Sequence, residues 1–526
     1  MVDLTTAQIN GSLLYSSNYW GGLTITFSFP GAGATWSAYT AGQEPFVTGY
    51  AGLKPAQQDV IRGEIGVWDR LITPSLVEAA DPGQIRVAFT DVKAITGENS
   101  WGFAYAPSGT GLGKAGDVWF NGVEQDGRAS QKDSAFTIGS YDYMAAMHEL
   151  GHALGLKHTF EDGQALPSQY DNYRYSIMSY TPNSDYQLVT FSLSGNTLQG
   201  SRTGVYPTTP MLLDVAAIQA RYGADPSTAA GDTIYTFDPS KPIMQTIYDA
   251  GGNDTIDLSS HTRASIIDLT PGAFSSIAKF TISEQAAMFK AQIGGANSYI
   301  DSVFNSQSYT WTDNLAIAFN TTIENVRGGS GNDRVLGNEA NNNLSGGGGD
   351  DYLRGADGQD LLFGGTGFDD INGNKGADTI YGGEGNDWVV GGQDGDMLFG
   401  EGSNDLVYGN LGNDTVNGGP GDDWVRGGQG DDIVEGGAGN DWLWGDRGND
   451  LVAGGAGADH FHIFVGAGID RVTDFSSAEG DRVFIDGGAP FALAFANGEA
   501  TIDLGNGDTM ILNGVSSAEM LGIWLG

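Results

Sequence analysis

The sequence predicts an α+β domain followed by an all-β parallel β-roll, and three observations carry that assignment. A nine-residue period runs without a gap from Gly328 to His462, with Gly at the first place of every unit and an apolar residue at the eighth. The residues before it have ordinary globular composition, with a helical apolar period after Pro55 and strand-like runs at 102–106 and 117–120. The composition is also lopsided: 83 Gly, no Cys, and 65 Asp plus Glu against 24 Lys plus Arg, a formal charge of -41 over 526 residues. That length exceeds one ordinary core. The absence of Cys excludes disulfides, zinc-thiolate sites and thiol nucleophiles. The acidity argues against nucleic acid or anionic lipid and makes divalent cations the natural partners. No run of 18 apolar residues occurs, so no membrane span is expected, and the first residues lack the basic and apolar parts of a cleaved secretory signal.

Within the first domain, assigned to residues 1–225, Pro55 opens an amphipathic helix whose apolar face holds Val60, Ile61, Ile65 and Trp68. From Ser140 the string SYDYMAAMHELGHALGLKH again has helical character. His148 and His152 stand four apart, so both imidazoles leave one face of a helix and can bind a single zinc ion. Glu149 lies about 100° round that helix, placed to act as a base rather than as a ligand. Gly155 lets the helix stop and the chain reverse, which brings His158 back as a third nitrogen ligand. Only six His exist in the chain, and three fall in this string. A zinc ion on three neutral imidazoles acidifies water, and Glu149 is the expected proton carrier for attack on a carbonyl.

The array, assigned to 328–462, carries about half of the negative charge. Its sixth place is Asp at 333, 351, 360, 369, 378, 387, 396, 405, 414, 423, 432, 441, 450 and 459, and Asn at 342. Gly permits the turn, the carboxylate of Asp points into it, and x-U-x is a short strand with its apolar U facing inward. Stacked carboxylates repel unless a hard cation accepts their oxygens, so Asp333, Asp351, Asp360, Asp369, Asp378, Asp387, Asp396, Asp405, Asp414, Asp423, Asp432, Asp441, Asp450 and Asp459 are the expected calcium ligands. Residues 463–526 contribute the strand-like runs 469–485 and 500–512, read as a β cap for the end of the array.

The string His148-Glu149-His152-Gly155-His158 resembles the metzincin zinc signature, and the RYSIMSY segment with Met178 resembles its methionine turn. Tyr180 resembles the additional tyrosine ligand of the serralysin branch. LLDVAAIQARYGAD, YDAGGNDTIDLS and TTIENVRGGSGND are similar to the serralysin linking helix, first calcium turn and roll entry. The resemblance implies a metzincin-like protease domain, a secreted zinc endopeptidase with a calcium-folded roll, and Tyr180 as both a zinc ligand and an oxyanion donor. It also implies calcium ligation by Gly231, Thr233, Asp249, Gly251, Gly252, Asp254, Thr322 and Glu324. Expected partners are protein substrates, a type I secretion apparatus and a proteinaceous inhibitor, with the chain acting as a monomer. Export would use a carboxy-terminal signal, here the tail with Glu519 and Gly526, while low calcium inside the cell keeps the roll unfolded. A calcium-dependent adhesion protein without activity is the alternative, and a lipase on the same roll is disfavoured because no G-x-S-x-G is found.

Residues 226–327 form the roll entry, and they are longer than the family pattern. The additional run SEQAAMFKAQIGG reads as a helix capped by Ser283 and ended by Gly294, with Met288, Phe289 and Ile293 on one face. It is expected to pack outside the first turns of the roll; the competing placement is beside the amino domain.

Overall fold

The computed structural model describes residues 3–517 apart from 17, 37–38, 40–47, 109–113, 125–129, 162–163, 195–196 and 294–297. Gly294 and the carboxy-terminal tail with Glu519 and Gly526 therefore lie outside the described residues. The chain forms two compact units: Met1–Ala230 with Ser240–Gly252 and Pro271–Thr321, and Gly231–Pro239 with Asn253–Thr270 and Thr322–Gly526. Among the described residues no helix is long and apolar enough to cross a membrane.

In the first unit a five-stranded sheet runs in the order Ser75–Glu78, Thr24–Ser28, Ile85–Thr90, Asp117–Asn121, Gly102–Ala104. The first four strands are parallel, and the short edge strand Gly102–Ala104 is antiparallel to its neighbour. Ile85–Thr90 and Asp117–Asn121 are buried at every position, the pattern of parallel strands covered on both faces. The helix Pro55–Asp69 packs on the helix Tyr141–Leu154, with Ile61, Ile65 and Trp68 in the core and the Trp68 indole donating to the Met147 carbonyl at 3.3 Å.

Glu64 sits on the buried side of that first helix, fully enclosed, and neither carboxyl oxygen has a hydrogen-bond partner. Burial pushes its carboxyl well above the ordinary range, which favours the protonated form. A buried polar group without a partner costs about 1–3 kcal/mol, so Glu64→Met should raise the unfolding free energy by about that amount. Because the folded-state value is raised, the wild type is favoured below the unfolded value and loses stability as pH rises. The gap in melting temperature between variant and wild type should widen with pH, and thermal scans at two pH values check this.

The additional segment departs from the expected placement. Helices Ile282–Ile293 and Ser298–Val303 form in the first unit, where they cover the hairpin Gln187–Ser194/Thr197–Gly204. Val189, Ala286, Ile300 and Phe304 make a separate small core, joined by Phe191, Leu198, Ile282, Phe289 and Val303. The reason is complementarity: the hairpin carries its own apolar row, and Gly200 leaves room for Val303, whose methyl carbon would lie 2.9 Å from an added Cβ.

The second unit is the roll. Consecutive nine-residue units alternate between two parallel sheets, and paired residues are 18 apart, as in Leu353↔Ile371 and Leu362↔Ile380. One unit is thus half a turn, and the eighth-place residues stack inside the roll. At Gly376, φ is 115° and an added Cβ would meet the Gly358 carbonyl oxygen at 1.5 Å, so the turn admits only Gly there. Past His462 the spacing lengthens, Val452 pairing with Val472, and antiparallel strands Ala492–Ala496, Glu499–Gly505 and Asp508–Asn513 end the longer sheet. They remove an open parallel edge.

Candidate metal centre

The helix Tyr141–Leu154 begins where the Ser140 hydroxyl accepts the Tyr143 amide at 3.2 Å. It ends at Gly155, whose φ is 105° and where an added Cβ would lie 2.5 Å from the Asn18 carbonyl oxygen. Both facts require Gly and let the chain turn back toward the helix. His148, His152 and His158 thereby converge, and their ligand nitrogens all lie within 4.8 Å of one another; among the described residues no other group of three such side chains does so. The His152 and His158 Nε2 atoms are 3.1 Å apart.

Each ring is oriented from behind. His148 Nδ1 donates to the Ile177 carbonyl at 2.7 Å and His152 Nδ1 to the Leu156 carbonyl at 2.8 Å, while His158 Nδ1 pairs with the Glu161 carboxylate. The Nε2 lone pairs of His148 and His152 are therefore left for a ligand. Burial holds His148 at about 3, and His152 well below the usual range, each lowered further by neighbouring imidazoles. Closely packed neutral imidazoles with lone pairs turned inward are the donor set of a zinc ion.

Met178 is fully buried against the helix that carries His148 and His152, where a Cβ on Gly151 would meet its sulfur at 3.0 Å. Two carboxylates, the buried Asp214 and the half-buried Asp171, fix the turn that carries it. Asp214 accepts from the Ser176 hydroxyl at 2.6 Å, the Ile177 amide at 2.8 Å and the Met211 amide at 2.9 Å, so the Ile177 unit that receives His148 is itself held. Asp171 accepts from Ser179 at 2.7 Å and from Thr159, which ties the residue after His158 to the one before Tyr180. The Tyr180 hydroxyl stands 2.7 Å from His158 Nε2. Sequence spacing gave no sign of Glu161, Asp171 or Asp214 as supports; only Asp214, in MLLDVAAI, stands out as a carboxylate in apolar surroundings.

Glu149 is buried, its Oε2 accepts no hydrogen bond, and burial lifts its carboxyl to about 8. Gly102 of the edge strand lies against it, an added Cβ meeting Glu149 Cγ at 3.2 Å. Both residues line a cavity of about 290 Å³, together with His148, Trp101, Tyr141, Met144, Tyr173 and Tyr180.

The roll holds a second candidate set. The backbone amide of Asp351 donates to Asp369 Oδ1 at 2.8 Å, and the same bond links Asp360 to Asp378, Asp369 to Asp387, and onward to Asp441 and Asp459. At every ninth residue from Asp351 to Asp459 the other oxygen, Oδ2, is buried without a partner. An added Cβ at Gly355 would meet Asp360 Oδ2 at 2.2 Å and the Gly373 carbonyl oxygen at 2.7 Å, so carboxylate and carbonyl oxygens gather at one point. Burial drives these carboxyls up, to about 6 for Asp378 and about 8 for Asp351, against the pull of the backbone amides. An oxygen cradle with an unsatisfied anion fits calcium.

Two members behave differently. Asp333 has both oxygens engaged by amides, Oδ1 with Ser265 at 2.6 Å and Oδ2 with Gly329 at 2.9 Å, so it lacks the unpartnered oxygen of the others. Asn342 donates its side-chain amide to the Glu324 carbonyl at 3.1 Å and accepts from the Asn338 amide, a neutral link in place of a cation. Of the ligands expected before the array, Asp254 in the second unit accepts from Thr233 and donates its amide to Glu324, both at 2.8 Å. The Thr233 hydroxyl donates to the Gly231 carbonyl at 2.9 Å, and Thr322 is exposed. Asp249 in the first unit accepts from the Gly251 amide at 2.9 Å, next to Gly252 at φ 146°.

Comparison with known families adds two matches. Residues 327–362, 363–398, 390–425, 399–434 and 426–461 match the RTX calcium-binding nonapeptide repeat, and residues 213–303 match the serralysin C-terminal region of peptidase family M10. Over part of its length this chain is similar to the serralysins. It is 30% identical over 310 residues to the serralysin of Photorhabdus laumondii, 56% of each chain, and 28% identical over 351 residues to that of Proteus mirabilis, 60% of each. The metallopeptidase AprA of Pseudomonas marginalis is 27% identical over 342 residues, 61% of each chain. The chain thus spans little more than half the length of the curated relatives it matches. The repeat match covers the whole stack of carboxylates. Both family models leave out the three histidines, whose case is geometric.

Proposed function

We propose that the protein is a secreted zinc-dependent endopeptidase with a roll folded by calcium. One observation carries this reading: three inward-facing imidazoles converge beside a buried carboxyl, Glu149, that lies against the open edge strand Gly102–Ala104. An extended peptide adds to that edge as a further antiparallel strand, bound through its backbone. Zinc on His148, His152 and His158, with Tyr180 in reach, would supply a Lewis acid toward the scissile carbonyl and acidify water. Glu149 takes the proton of the attacking water and passes it to the leaving amine nitrogen. The Tyr180 hydroxyl donates to the developing oxyanion. Names of the relatives support the same reading, serralysin and metallopeptidase.

Export fits the chemistry of the roll: without calcium its stacked carboxylates repel, and an unfolded chain suits a type I apparatus. Protein substrates and a proteinaceous inhibitor are the corresponding partners. The test is casein cleavage by the purified chain, abolished by a zinc chelator and restored by zinc. Tyr180→Phe should retain zinc and lose about 10² in kcat, the usual effect of one oxyanion donor. A zinc-loaded chain that cleaves no peptide would leave an adhesion role instead.

A further inference from the structure

The segment that exceeds the expected roll entry reaches the cavity above Glu149 by two routes, both inside the first unit. The first runs through an ion-pair node. Arg174 donates to Asp185 at 3.0 Å and to Asp313 at 3.0 Å, and the Thr310 hydroxyl donates to the other Asp185 oxygen at 2.9 Å. Arg174 adjoins Tyr173, a wall of the cavity, so the stem of the segment holds the loop that carries that wall. Arg174 and Asp185 are shielded, with side-chain exposures of 18% and 13%, which makes the pair stronger than a surface bridge.

The second route runs through the hairpin. Its last residue is Gly204, where an added Cβ would lie 2.4 Å from the Tyr206 ring, so that ring folds back on the strand end. Tyr206 then packs edge-on against Tyr141 at 5.4 Å and Tyr173 at 6.2 Å, both cavity walls. The hairpin is held by the segment itself: Phe289 packs on Phe191 at 4.8 Å, and Gln187 exchanges backbone bonds with Gln307 and Tyr309 at 2.8 and 2.7 Å.

We propose that the segment 280–313, with the hairpin it covers, is a positioning element that fixes Tyr141 and Tyr173 and so sets which side chains the cavity admits. The cavity is lined by the rings of Trp101, Tyr141 and Tyr173 together with polar Glu98, Asn99 and Ser179, so the favoured occupant is an aromatic side chain of an extended peptide, packed on those rings. Tyr206, Arg174, Asp185 and Asp313 act through other residues and touch no substrate. This inference rests on the endopeptidase reading for its substrate and on the packing alone for its coupling.

The test compares the full zinc- and calcium-loaded chain with Tyr206→Ala and Asp313→Asn. Substrates are peptide pairs that differ only in Phe or Ala beside the scissile bond; zinc content and amide hydrogen exchange across 141–145 and 171–181 are measured in parallel. The expected result is full zinc content, faster exchange in both stretches, and about a tenfold fall in the Phe-over-Ala ratio of kcat/KM. An unchanged ratio in both variants overturns the specificity role. Unchanged exchange overturns the coupling, and it does so even with a wild type that cleaves nothing, a result that would count against the endopeptidase reading alone.

Discussion

Glu149→Ala is expected to keep its zinc and lose about 10³ to 10⁴ in kcat/KM for peptide hydrolysis, whereas His152→Ala should lose both metal and activity. The split follows from the geometry. The three imidazole nitrogens converge without Glu149, whose carboxyl instead faces the edge strand at Gly102. Its removal takes away a proton carrier and leaves the ligand set whole. His152 is one of three nitrogens and is oriented by the Leu156 carbonyl, so no neighbour can replace it. Metal analysis and cleavage of one peptide, measured on both variants, decide the matter. A Glu149→Ala enzyme as fast as wild type would remove the proposed base.

Chelating calcium at neutral pH should unfold the roll of the full chain, seen as loss of β signal in far-ultraviolet circular dichroism. Each partnerless Oδ2 is a buried carboxyl oxygen that a cation can satisfy, and occupancy at 100 times the dissociation constant adds about 2.7 kcal/mol per site. Magnesium should substitute poorly, since it demands a small rigid octahedral shell. The metal-free roll has a definite pH response. Folded values of about 6 to 8 lie above the unfolded 3.8, so the folded state binds more protons. Its stability is complete below the unfolded value and is lost as pH rises through the folded ones. In chelator, acidification from pH 8 to 5 should therefore restore β signal. Further loss of signal on acidification would show that these carboxyls are not raised.

Much of both sites was legible from spacing. Helical geometry fixes His148 and His152 on one face whatever surrounds the helix, and a nine-residue period with Gly and Asp at set places admits few structures besides a stacked roll. Asp333 shows where that logic stops. It occupies the sixth place of its unit like the other Asp residues, but Ser265, outside the array, satisfies it, and no repeat count reveals a hydrogen bond from 68 residues away. Glu161, Asp171 and Asp214 were hidden for the same reason, since a carboxylate that supports another residue has no spacing rule of its own.

The additional helix was legible, and its location was not. Ser283 to Ile293 reads as amphipathic from local period, but an apolar face specifies only that something covers it. The hairpin's row of Val189, Phe191 and Leu198 supplied the better surface, and that choice is made among long-range alternatives. The sequence by itself determined the spacing of the three histidines and the glutamate beside them, and the nine-residue repeat, because each depends on backbone geometry over fewer than twenty residues. The tertiary structure alone decided which carboxylates keep an unpartnered oxygen, which residues brace the imidazoles, and where the additional helices pack, because burial and pairing are set by neighbours distant in the chain.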